Sequence, residues 1–152
     1  MSTPEERLAD LGLTVPEVPK PVAAYIPALR SGNHVFTSGQ LPMRDGQLML
    51  TGKVGGEVSQ EEAVECARQC ALNALAAVRG EVGELAAIKR IVKVVVFVAS
   101  TPDFTSQPLV ANGVSELFGE VFGEAGRHAR SAVGVSVLPL DAPVEVELVV
   151  EI

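Results

Sequence analysis

The chain has 152 residues, the size of one ordinary domain; 47% are apolar and only 4% aromatic, so the interior must be built from valine, alanine, leucine and isoleucine. A balance of 19 acidic against 12 basic residues gives a net charge of -7, which repels phosphate backbones, and the single basic cluster, Arg127, His128 and Arg130, is too narrow for a nucleic-acid footprint. The N-terminus lacks the positive flank and apolar stretch of a secretory signal, and the longest apolar run, 94–99, is far too short to span a bilayer, so no membrane association and a cytoplasmic protein are expected.

Thr3 and Pro4 form an N-cap and first helical position, predicting a short helix over 3–11, and the proline-spaced segment 15–21 reads as an extended connector. Residues 22–30 and 34–38 are strand-like and flank Ser31-Gly32-Asn33, a good hairpin turn. A third strand is expected over 47–51, after the Asp45-Gly46 turn. Ser59 and Glu62 have capping-box spacing, so a helix should begin there. Ala63, Ala67, Cys70, Ala71, Ala74 and Val78 then recur on one stripe, with Gly80 marking the end. Cys66 and Cys70, four apart on that helix, read as small reduced core residues, since a disulfide needs different geometry and a metal more ligands.

The run 88–100 is nearly continuous in β-branched residues, as expected of a central strand covered on both faces. Residues 106–122 predict a second long helix with Pro108 in its first turn, and strands over 129–138 and 144–152 complete the chain. The expected architecture is a single α+β domain over 1–152, a six-stranded mixed sheet with two long helices on one face, preceded by an N-terminal extension over 1–21. Two helices leave the other face of such a sheet without a cover.

Alternation in the strand from Ala129 puts Ala129, Ser131, Val133, Val135 and Val137 on one side, read as the core-facing set. His128, Arg130, Ala132, Gly134 and Ser136 fall on the other. In the last strand Glu145, Glu147 and Glu151 lie opposite Val144, Val146, Leu148, Val150 and Ile152. An arginine and carboxylates are thus expected to converge on the helix-free face. A guanidinium suits a planar carboxylate because it donates two parallel hydrogen bonds, and a glutamate can accept a proton from water. The same pattern also fits charges that pair with each other or face solvent.

His128-Ala-Arg-Ser-Ala-Val-Gly-Val-Ser-Val-Leu-Pro139 followed by Val144-Glu-Val-Glu147 resembles the C-terminal signature of the Rid (YjgF) family, also called the endoribonuclease L-PSP family. Val35-Phe-Thr-Ser-Gly-Gln-Leu-Pro42, Tyr25, and Val96-Phe-Val98 ahead of Asp103-Phe104 extend the likeness from about Tyr25 to Ile152. The resemblance implies a chorismate-mutase-like fold and a homotrimer whose three sheets form a central barrel with sites in the clefts between subunits. It further implies hydrolysis of enamines or imines to keto acids and ammonia without metal or organic cofactor. Carried over by position, Arg130 would bind the substrate carboxylate and Glu145 would hold the hydrolytic water. Tyr25, Ser38 and Gly39 would line the pocket, and Glu147 would be structural. The small partner implied is an imino acid.

Three pocket positions depart from the family pattern. Ala132 stands where many active members have cysteine, Pro102 where asparagine often precedes Asp-Phe, and Ile26-Pro27 where Ser/Val-Gln usually follows the tyrosine. These departures and the extension mark a divergent subgroup, for which a non-catalytic carboxylate-binding trimer is the second reading. His128 shares the face of Arg130 and suits anion binding or proton transfer as well as an ordinary surface role. His34 reads as solvated. Gly55-Gly56, Gly119 and Gly123 lack phosphate-loop spacing and read as turns and helix ends. The ribonuclease role carried by the alternative family label is disfavoured by the acidic charge.

Overall fold

A computed structural model describes residues 2–18 and 24–152. Helix α1 (Pro4–Asp10) begins as expected: Thr3 Oγ1 accepts from the Glu6 amide at 3.1 Å, and Glu6 Oε2 accepts from the Thr3 amide at 2.9 Å. Strands β1 (Ala28–Ser31) and β2 (His34–Thr37) pair antiparallel across Gly32-Asn33, with Ser31 opposite His34. The first strand is shorter than expected. Residues 24–27 are outside it, as suits a stretch containing Pro27, which has no amide to offer a ladder, while residues 22 and 23 fall outside the described residues.

The expected third strand is not part of the main sheet. Strands β3 (Met43–Arg44) and β4 (Gln47–Leu48) form a separate two-stranded hairpin around Asp45-Gly46, both with positive φ. Among the described residues the main sheet therefore has five strands, not six, because the turn folds the segment back on itself after only two residues.

Helix α2 (Gln60–Val82) opens on the predicted Ser59/Glu62 capping box and buries Ala63, Cys66, Ala67, Cys70, Ala71, Ala74 and Val78. It runs through Gly80 and stops at Gly83, whose φ of 95° breaks the helix. Burial pushes the Cys66 thiol up to about 11 and raises Cys70 as well, so both behave as protonated core residues.

Strand β5 (Arg90–Ala99), helix α3 (Gln107–Phe122), strand β6 (Ala129–Val135) and strand β7 (Val144–Glu151) follow, giving the order β1-β2-β7-β5-β6. All neighbours are antiparallel except β5 and β6, which α3 joins by a crossover. Val94, Val96 and Val98 of β5 and Val144, Val146 and Leu148 of β7 lie 0–2% exposed against the helices. Burying such side chains is worth roughly 1.5–3 kcal/mol each, so this layer dominates the stability of the fold. No helix of the described residues is long and apolar enough to cross a membrane.

Among the described residues no helix covers the opposite face, and only its end near Ala99 is packed, by Leu41, Leu48, Leu138 and Ala142. Leu29, Phe36 and Val133 are 55%, 45% and 42% exposed there. The central strand β5 is thus covered along its length on one face, and on the other only around Phe97 and Ala99.

Candidate functional site

Register decides which face each functional side chain occupies. Val94 is aligned with Arg130 on one side and with Leu148 on the other, and Val94 belongs to the buried layer. Arg130, Ala132 and Gly134 therefore lie on the helix side of the sheet. Phe97 is aligned with Val133 and with Glu145, which places those residues on the open side. The face assignment for β6 from alternation is thus reversed, and Arg130 and the β7 carboxylates do not converge on one face. The valines of β6 resemble a core set because the open face is itself apolar.

At the start of β6, Arg130 Nη1 donates to Asn112 Oδ1 at 2.8 Å and to Ser115 Oγ at 3.1 Å, both from α3. Among the described residues no carboxylate lies within 4.0 Å of the guanidinium, so the rival expectation of an ion pair with the glutamates is not met. A half-buried guanidinium held only by neutral acceptors keeps its Nη2 and Nε hydrogens available to an anion.

His128 extends the same network. Its Nδ1 faces the Gly126 carbonyl at 2.6 Å, which requires a hydrogen there, so in the neutral ring Nε2 accepts from the Ser115 hydroxyl at 2.9 Å. Ser115 thereby donates to the histidine while accepting from the arginine. Burial holds His128 below the ordinary histidine range; the Gly126 carbonyl opposes that shift and the Arg130 charge adds to it. The ring also meets Phe118 edge-on at 6.0 Å between centroids.

Asn112 and Ser115 were missed from sequence. Three residues apart, they form a polar stripe with Gly119 beside the apolar Val110, Val114, Leu117 and Phe118, a helical spacing that could have marked them. Ala132 is half-buried one step along the Arg130 face and packs against the core. Pro102 sits in the turn after β5, where Asp103 Oδ1 accepts from the Thr101 hydroxyl at 2.8 Å.

A second cluster gathers around Glu145 on the open face. Reciprocal backbone bonds between Gln40 and Val146, 2.7 and 3.0 Å, draw the 38–40 segment onto β7. Gly39 is thereby pressed so close that a Cβ there would lie 2.8 Å from the Glu145 carboxyl, so any larger residue would have to displace that carboxyl. Ser38 Oγ donates to the Ile26 carbonyl at 2.6 Å and so ties down the segment that carries Tyr25, itself 58% exposed. Partial burial, and then the neighbouring Glu147, raise Glu145 above the usual carboxylate range. Ser38, Gly39 and Glu145 are thus brought together, with Tyr25 on the segment that Ser38 ties down, apart from Arg130, His128 and Ala132.

The family model described as YjgF/chorismate mutase-like matches residues 5–152. This chain belongs to the YjgF family. Among its relatives, the Trypanosoma cruzi protein TCP17 is 44% identical over 95% of the chain and 91% of its own length. A Dermatophagoides farinae protein named 2-iminobutanoate/2-iminopropanoate deaminase is 32% identical over 92% of the chain and 94% of its own. In structure, the YjgF-family fold is shared with Agrobacterium tumefaciens Atu1372, a protein of unknown function, at a TM-score of 0.91 and 46% identity over 99% of this chain and 92% of that one.

Proposed function

We propose that the protein is an imine/enamine deaminase acting as a homotrimer, in which Arg130 of one subunit and Glu145, Tyr25, Ser38 and Gly39 of the next form each site. The observation that carries this reading is the Arg130 guanidinium, half-buried, fixed by Asn112 and Ser115, and lacking a carboxylate partner among the described residues. The deaminase name of one relative, 32% identical, supports the reaction class. The division of Arg130 and Glu145 between opposite faces of one sheet supports a two-subunit site, and the exposed apolar residues of the open face suit a contact surface.

Arg130 grips the substrate carboxylate bidentately and thereby fixes the adjacent imine carbon. Glu145, with its raised proton affinity, takes a proton from water as the oxygen adds to that carbon. The nitrogen acquires protons, the C–N bond breaks, and keto acid and ammonia leave. Atoms and charge balance without an oxidant or reductant.

Arg130→Ala is expected to abolish the enhancement of ammonia release from freshly generated imino acids, while Arg130→Lys keeps the charge but loses the fork and recovers little. Equal rates for wild type and Arg130→Ala would refute the assignment. The altered pocket residues, Ala132 above all, favour the second reading of a binding trimer without turnover. In that case carboxylates raise the melting temperature of the wild type and not of Arg130→Ala, with no ammonia released.

A further inference from the structure

Beside Arg130 an open cavity of about 300 Å³ is lined by Ser115, Gly119, Gly126, Arg127, His128 and Arg130. Two arginines meet there beside the neutral His128, and among the described residues no acidic side chain lines it, although acidic residues outnumber basic ones 19 to 12 in the chain. Such a cavity concentrates positive potential in a protein whose net charge repels anions elsewhere.

One carboxylate on Arg130 does not use the whole set. Arg130 has Asn112 and Ser115 to hold it, and His128 is locked between Ser115 and the Gly126 carbonyl, so both are built in place. Arg127 is different. Among the described residues its one ion pair is with Glu124 at 3.4 Å, three residues away, between side chains 78% and 87% exposed. An exposed pair of that kind is weak and screened by solvent, so a ligand carboxylate can readily replace Glu124.

We propose that this cavity receives a second acidic group of the substrate on Arg127, with the Ser115–His128 pair as its neutral wall, so that the preferred substrates are imino acids derived from dicarboxylic amino acids. The inference rests on the reading of Arg130 as the substrate anchor and adds the identity of the side chain. Gly119, which has nothing within 4 Å of where a Cβ would stand, leaves the cavity wall open to that side chain.

The test generates imino acids in place with amino-acid oxidases, from glutamate or aspartate in one set and from alanine or leucine in the other. Ammonia release is compared for wild type, Arg127→Gln and Arg127→Lys, each checked for an unchanged melting temperature. The wild type should favour the dicarboxylic set, and Arg127→Gln should lower the dicarboxylic-to-monocarboxylic ratio of kcat/KM about tenfold, with Arg127→Lys restoring most of it. A ratio that is the same in wild type and Arg127→Gln overturns the proposal. Absence of turnover with every imino acid would instead defeat the deaminase reading, and the cavity is then tested by calorimetric binding of 2-oxoglutarate and pyruvate. Tighter binding of 2-oxoglutarate, weakened about tenfold in Arg127→Gln, supports the second acidic-group site; equal affinity for the two overturns it.

Discussion

The two faces of the sheet are built for different ends. On the helix side Val94, Val96, Val98, Val144 and Val146 are fully buried, and Arg130 stands at the edge strand with its guanidinium fixed by α3. On the open side, apolar residues alternate with Glu145 and Glu147, and Leu29, Phe36 and Val133 remain exposed. The first face stabilises a subunit, and the second makes sense as the surface on which subunits meet. A carboxylate anchor and a water-activating carboxylate placed on opposite faces cannot cooperate within one sheet, so the proposed chemistry depends on assembly.

Charging the open face should have the largest effect on this contrast. Phe36→Asp or Val133→Asp puts a carboxylate where subunits are proposed to pack, so the protein should sediment as a folded monomer with activity at background. Retention of a full-size assembly and activity would show that the open face is not the contact. A smaller loss is expected from Gly39→Ala. Its methyl would collide with the Glu145 carboxyl, 2.8 Å away, and displace it, lowering kcat roughly 10- to 100-fold while Arg130-dependent ligand binding survives. The finest adjustment is in pH. In the proposed mechanism Glu145 must be ionised to accept a proton, and its affinity for protons is raised, so activity should fall as pH drops through a value above the usual carboxylate range. Removing the neighbouring charge with Glu147→Gln should move that acid limb to lower pH; an unmoved limb would assign it to another group.

Much of this contrast could be read from the residues. Capping boxes at Thr3 and Ser59 and the apolar stripes of α2 and α3 announced the helices, since those signals are local. The motif around Arg130 pointed to the family, which the comparison bears out. Two things were not legible. Alternation in β6 could not distinguish the faces, because valine occupies the open side and the helix side carries small residues around Arg130. The third strand was misjudged because the hairpin turn at Asp45-Gly46 confines pairing to two residues on each side. Asn112 and Ser115 reach Arg130 across the crossover between α3 and β6, a tertiary relation that helical periodicity only suggests.

The most direct measurement is subunit complementation. Arg130→Ala and Glu145→Gln chains, each inactive alone, are unfolded together, refolded as a mixture and assayed for imino-acid hydrolysis. If each site combines Arg130 of one subunit with Glu145 of the next, random mixing leaves about a quarter of the sites intact and activity returns to about that fraction of wild type. A mixture as inactive as its components, with mixed trimers present, would contradict the two-subunit site.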